Sequence, residues 1–235
     1  MENDVKPGKV CWGLLRRRQF VVPTWRGWIV LLLAGAVFVA LVAWSVHPFL
    51  AVNAPVLGGV LVVEGWAPDY ALVEAIAEFQ RRQAGRLYVS GGPLEQGGPL
   101  SDYQTFAELG AATLLRLGLN TNQVQAVPAP AVRQDRTYAS ALALKNWLRE
   151  RGAAVTNVNV ISIGPHCRRT RLLYEKALGD FTKVGIISIQ ARDYDPGRWW
   201  TSSQGVRTVI SEVIAYGYAR FLFRAPRGVA EMPLN

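Results

Sequence analysis

Residues 56–63 read Val-Leu-Gly-Gly-Val-Leu-Val-Val. The run is short, apolar and β-branched, which predicts a buried central strand. Downstream the chain alternates. Helical spacing covers 72–79, and Leu87-Tyr88-Val89 is strand-like before Ser90-Gly91-Gly92. A helix is expected over 105–117, with Ser101 or Asp102 as N-cap. A short strand at 123–127, a helix at 137–149, a strand at 155–163, a helix at 168–178, a strand at 184–189 and a closing helix at 203–223 follow. Apolar strands separated by helices of about 10–15 residues predict a parallel sheet covered on both faces. Ligands of such sheets bind where the strands end and the strand order reverses.

Upstream of that strand lies a second deciding feature. Between Arg26 and Glu64 there is no Asp, Glu, Lys or Arg for 37 residues, and 27–46 (GWIVLLLAGAVFVALVAWSV) is almost wholly apolar. A helix of about 20 residues matches the roughly 30 Å hydrocarbon core of a bilayer. The alternative, a cleaved signal peptide, has an apolar core of about 7–15 residues followed by a small-residue cleavage site. Here the core is longer and runs into His47-Pro48-Phe49. The sequence therefore divides into a basic tail (1–26), a transmembrane helix (27–47), a linker (48–55), an α/β domain (56–225) and a C-terminal tail (226–235).

The tail holds Lys6, Lys9, Arg16, Arg17, Arg18 and Arg26 against Glu2 and Asp4. Basic flanks stay in the cytoplasm, so the expected localisation is the bacterial plasma (inner) membrane. The chain crosses once, with the N-terminus cytoplasmic and the domain outside. Trp25, Trp28 and Trp44 fall near the ends of the run, where indoles favour the headgroup zone. The tail supplies +4 of the formal +9 charge, leaving +5 for the rest. Nucleic acid is not an expected partner, since no aromatic-basic interleaving appears. Cys11 and Cys167 fall on opposite sides of the bilayer in this topology, so no disulfide is expected.

The strand ends carry the candidate chemistry. Ser90-Gly91-Gly92 is either an ordinary tight turn or a backbone cradle for an anion. Gly164-Pro165-His166-Cys167-Arg168-Arg169-Thr170-Arg171 follows the fourth strand. Cations are disfavoured at a helix N-terminus, so this crowding makes sense if an anion sits among them, the other reading being a merely basic surface helix. His166, Arg169, Leu173 and Ala177 share one helical face, toward the sheet, while Arg171 pairs with Glu175 on the surface. Asp135 is an N-cap candidate, which leaves Arg136 free to meet ligand or a nearby carboxylate, and the Thr137 hydroxyl points toward the sheet edge. Glu108 lies on a small-residue face, as a surface carboxylate or a partly buried base. With only His47 and His166 available, no metal site is expected. The serine-hydrolase elbow and the P-loop are both missing.

These motifs resemble the SanA/ElyC/YdcF-like bacterial envelope proteins, a domain family of unknown function. The likeness runs from about 56 to 189. It rests on the apolar first strand, Leu87-Tyr88-Val89-Ser90-Gly91-Gly92, Glu108 before Leu117-Gly118-Leu119, Thr137 in a helix-opening motif, and His166 with Arg169. Where the family usually has an Asn-Thr-x-Glu-Asn-Ala-like stretch, this chain has Arg136-Thr137-Tyr138-Ala139-Ser140-Ala141, and its first strand ends on Glu64-Gly65-Trp66.

The resemblance implies a Rossmann-like three-layer α/β/α fold behind one N-terminal span, and a link to peptidoglycan or other envelope biogenesis. One soluble branch is reported to bind S-adenosylmethionine, which is scarce outside the cytoplasm, so no cofactor is expected. The expected activity is binding of an anionic, phosphate-bearing ligand such as a lipid-linked precursor. Ser90, Gly91, Gly92, Arg136, Thr137, Arg168 and Arg169 would hold it, with His166 and Glu108 as acid and base. Any reaction would be hydrolysis or transfer on a phosphorylated envelope precursor. Expected partners are the bilayer, that ligand and envelope-biogenesis proteins. A non-catalytic scaffold working through Trp199-Trp200 and the C-terminal helix is the alternative. A cytoplasmic nucleotide-binding domain would need reversed topology.

Overall fold

The computed structural model describes residues 9–10, 15–16 and 22–225 except 154. Much of the basic tail, Cys11 and the segment 226–235 lie outside the described residues. The chain divides into Met1–Val42 and Ala43–Asn235. In the first unit Lys9–Val10 pairs with Leu15–Arg16 as a two-residue antiparallel ladder. Helix α1 (Trp25–Leu50) is long and apolar enough to cross a membrane, and none of its most apolar window is buried. That lack of cover excludes the core helix of a globular protein, which would be wrapped by its neighbours. The helix runs through Pro48 for one further turn, and its last eight residues belong to the second unit.

The second unit holds five parallel strands: β1 (Val60–Glu64), β2 (Leu87–Gly91), β3 (Val124–Pro128), β4 (Asn157–Ile163) and β5 (Lys183–Ile189). Their spatial order is β3-β2-β1-β4-β5. The chain builds outward from β1 and then returns to add β4 on β1's other side. The strand order therefore reverses between β1 and β4, and the expected α/β fold is the one observed.

Helices α2 (Asp69–Arg81) and α3 (Phe106–Arg116) cover one face, burying Leu61, Val63, Leu87, Val89 and Ile161. Helices α4 (Arg136–Glu150) and α5 (His166–Leu178) cover the other, over Val62, Val158, Val160 and Ile186. The period-2 alternation of β1 thus feeds two cores, as expected of a strand buried on both sides. Helix α6 (Ser203–Gly217), closed by a π turn at Tyr218–Leu222, packs beside α5.

Several boundaries shift for local reasons. The first strand begins at Val60, not 56, because Gly58 and Gly59 take φ of 63° and 83°. A Cβ on Gly59 would meet the Asn157 carbonyl at 2.2 Å. Thr105, not Ser101 or Asp102, caps α3. The predicted linker is itself structured. Ala54 bridges antiparallel to Ile186, and the Ser188 N–H donates to Asn53 Oδ1 at 3.2 Å, which covers the outer edge of β5.

Candidate functional site

In register, Ser90, Glu64, Ser162 and Ser188 form one row across β2, β1, β4 and β5. All four share the strand parity of Val62 and Val160, so the row faces α4 and α5, at the carboxyl end of the sheet. Ser90 and Ser162 are 1% exposed and Glu64 4%. The Ser90 hydroxyl meets the Tyr174 hydroxyl of α5 at 2.9 Å, and Ser162 Oγ donates to Glu64 Oε2.

The turn from β4 into α5 sets His166 over this row. Gly164 adopts φ 45°, its N–H bonds the Ile189 carbonyl at 2.8 Å, and α5 starts at His166. His166 Nε2 lies 3.5 Å from Glu64 Oε1, while Nδ1 lies 2.9 Å from Glu212 Oε1. The Trp66 indole closes the other side edge-on, 5.1 Å between ring centroids. Arg169 donates from Nε to Glu212 Oε2 at 2.8 Å and from Nη2 to Glu212 Oε1 at 2.9 Å, a bidentate fork. That same Nη2 stands 2.9 Å from His166 Nδ1, so one carboxylate holds two cations together.

The electrostatics follow from that packing. Burial opposes charge on His166, but the Glu64 charge and the hydrogen bond to Glu212 outweigh it and lift the imidazole to about 9. Burial would raise Glu212, yet Arg169 and His166 hold it down at about 2. Glu64 is likewise held below the usual carboxylate range, against its burial, by His166 and Ser162. At neutral pH the four groups are two anions and two cations, mutually compensated.

Sequence reasoning placed His166 and Arg169 together on the sheet-facing side of α5, where the structure also has them. The anions that face the α5 cations in the structure are carboxylates of the protein itself, Glu212 of α6 and Glu64 of β1. Arg168 turns elsewhere, donating from Nε to the Phe49 carbonyl and stacking 3.9 Å over the Phe49 ring. Arg171 pairs with Glu175 at 2.8 Å as expected.

Glu108 is turned to a different task. Its carboxylate accepts from the backbone N–H of Gln104 and Thr105, each at 2.9 Å, and the Thr105 hydroxyl accepts from Glu108 N, so the pair is a capping box. The carboxylates that face His166 are Glu64 and Glu212. Gly91 fits against the start of α3, where a Cβ would come within 2.8 Å of the Phe106 side chain. Gly92 gives its carbonyl to the Phe106 N–H. Arg136 pairs with Glu95, and Thr137 is half-buried in the first turn of α4. Asp135 occupies the N-cap position in a left-handed conformation without capping through its side chain.

Three buried polar atoms have no hydrogen-bond partner among the described residues: His166 Nε2, Thr170 Oγ1 and Tyr138 Oη. At 3.5 Å the Nε2–Glu64 contact is electrostatic only. No cluster with metal-ligand character occurs among the described residues. Cys167 is buried and free, its thiol pushed up to about 12 by burial. A cavity of about 420 Å³ lies at the opposite, amino end of the sheet, lined by Arg171, Glu175, Asp180 and Lys183 among others, and it does not include the cluster. Trp199 is buried, and its indole N–H donates to the Ala43 carbonyl at 2.8 Å.

Sequence reasoning missed Glu64, Glu212, Trp66 and Ser162. No known family profile, curated protein or solved structure matches the chain.

Proposed function

We propose that this protein is a single-pass, membrane-anchored envelope-biogenesis factor of the SanA/ElyC/YdcF-like class. Its domain faces outward from the inner membrane and takes an anionic, phosphate-bearing ligand, such as a lipid-linked precursor, at the ends of β1 and β4. The observation that carries this reading is the buried, hydrogen-bond-free His166 Nε2 at the strand-order reversal, the place where open α/β sheets bind ligands. An imidazole held charged up to about pH 9 is a cation and an acid at neutral pH, suited to a phosphate oxygen or a leaving group. Arg169 belongs to the same site, with Glu212 as its resting counter-ion. In this reading Glu64 takes the place of Glu108 as the carboxylate facing His166. A hydrolase or transferase reaction would use His166 as the acid.

The test is direct binding of undecaprenyl phosphate to the detergent-solubilised full chain. Glu212→Gln removes a competing carboxylate and should tighten binding, whereas Arg169→Ala should abolish it. Equal affinity in all three proteins would refute the site.

The mutual compensation of the cluster favours a second reading, a non-catalytic tethered scaffold in which these ion pairs only pin α6 to the sheet. In that case no phosphate-bearing envelope precursor binds, and Arg169→Ala loses stability alone.

A further inference from the structure

We propose that α6 and its terminal π turn lie on the surface of an anionic bilayer, as a second lipid contact beside the α1 anchor. The inference rests on the anchor reading and adds a face that reading does not use. The inner stripe of α6 is Gly205, Val209, Glu212 and Tyr216, all buried or half-buried. A second stripe faces outward: Val206, Ile210, Val213 and Ile214, 39–67% exposed, followed by Phe221 at 80% and Leu222 at 70%. The spacing i, i+4, i+7, i+8 sets the first four on one side of the helix. Scattered exposed apolar residues are ordinary, but a continuous stripe marks a contact.

Charge selects the occupant. Between 203 and 224 the ionisable acids and bases are Arg207, Glu212, Arg220 and Arg224. The one carboxylate is turned inward onto Arg169, its side chain 13% exposed. What this segment offers to its surroundings is an apolar stripe flanked by guanidinium groups, the composition of a helix seated among anionic headgroups.

Position supports the same occupant. Residues 43–50 of α1 and the whole of α6 belong to one unit. Trp199, just before α6, bonds the Ala43 carbonyl, and Tyr216 near its end packs edge-on against Phe49, 5.8 Å between ring centroids. Both contacts keep α6 beside the last turns of α1, next to where the proposed span ends.

Spin labels on the full chain in vesicles test this. In a Cys11→Ser background, Ile214→Cys reports on the outer stripe, Leu33→Cys on the span and Gln80→Cys on exposed α2, with Cys167 shielded by burial. In phosphatidylcholine–phosphatidylglycerol vesicles, labels at 214 and 33 should collide more with oxygen than with a water-soluble nickel chelate, and the label at 80 the reverse. Adding Arg220→Gln and Arg224→Gln should move only the 214 label toward water. If position 214 behaves like position 80 while position 33 stays in lipid, the inference fails and the anchor stands. If position 33 is also aqueous, the anchor reading fails and this one with it. Spin–spin broadening at 214 would put a second copy on the stripe and overturn the lipid assignment.

Discussion

His166 lies between two carboxylates, and the sign of its effect on stability follows from that. Its pKa is raised from 6.5 to about 9, so its contribution is complete below pH 6.5 and is lost as pH rises through 9. Glu212 is lowered from 4.5 to about 2, so its share is complete above pH 4.5 and is lost as pH falls through 2. Urea midpoints of the wild type should accordingly fall between pH 6.5 and 9. In His166→Gln that alkaline limb should flatten, and a parallel decline in both proteins would contradict the assignment. Glu212→Ala is the harsher change, because it leaves an imidazole and a guanidinium 2.9 Å apart with Glu64 as their remaining counter-ion. Removing one member of a buried ion pair costs about 3–5 kcal/mol. Equilibrium unfolding at pH 6, where both cations persist, would measure that loss.

Among the elements, α3 approaches the turn after β1 closely. A Cβ on Gly65 would lie 2.2 Å from the Phe106 carbonyl oxygen, and Gly110 packs back against the Gly65 backbone. Gly65→Ala should therefore cost at least the 1–3 kcal/mol or so of ordinary overpacking. Gly98→Ala, with nothing within 4 Å of the new atom, should leave the unfolding midpoint nearly unchanged. Equal effects would mean that the close approach is not a constraint.

The same scale explains what the sequence made legible. The strand and helix pattern was readable because the strands are short runs rich in apolar, β-branched residues separated by stretches with helical spacing. His166 and Arg169 were readable because three residues on one helix define a face without any tertiary knowledge. Glu212 is 46 residues from His166 and 43 from Arg169, so no local spacing ties them. A weaker sign existed in the stripe Gly205, Val209, Glu212, where an acid occupies a core-facing position. Ser90, Glu64, Ser162 and Ser188 each stand near the carboxyl end of an apolar strand, but their alignment emerges only from the register. Glu108 misled because a capping carboxylate and a half-buried base look alike in sequence.

For the whole molecule, the decisive quantity is the side of the membrane on which the α/β unit folds. Arg16, Arg17 and Arg18 precede α1 and Arg26 lies in its first turn, and the charge-free run extends to Glu64. Positive flanks resist translocation, which is the ground for the proposed outward domain. In the proposed orientation the buried ionic cluster would form outside the cytoplasm, away from cytoplasmic nucleotides. Alkaline phosphatase fused after Asn235 should be active and green fluorescent protein dark. Replacing Arg16, Arg17 and Arg18 by Glu should weaken that bias and lower the phosphatase signal. A fluorescent, phosphatase-negative pair would place the cluster in the cytoplasm, where a soluble nucleotide becomes the natural ligand and the envelope assignment falls.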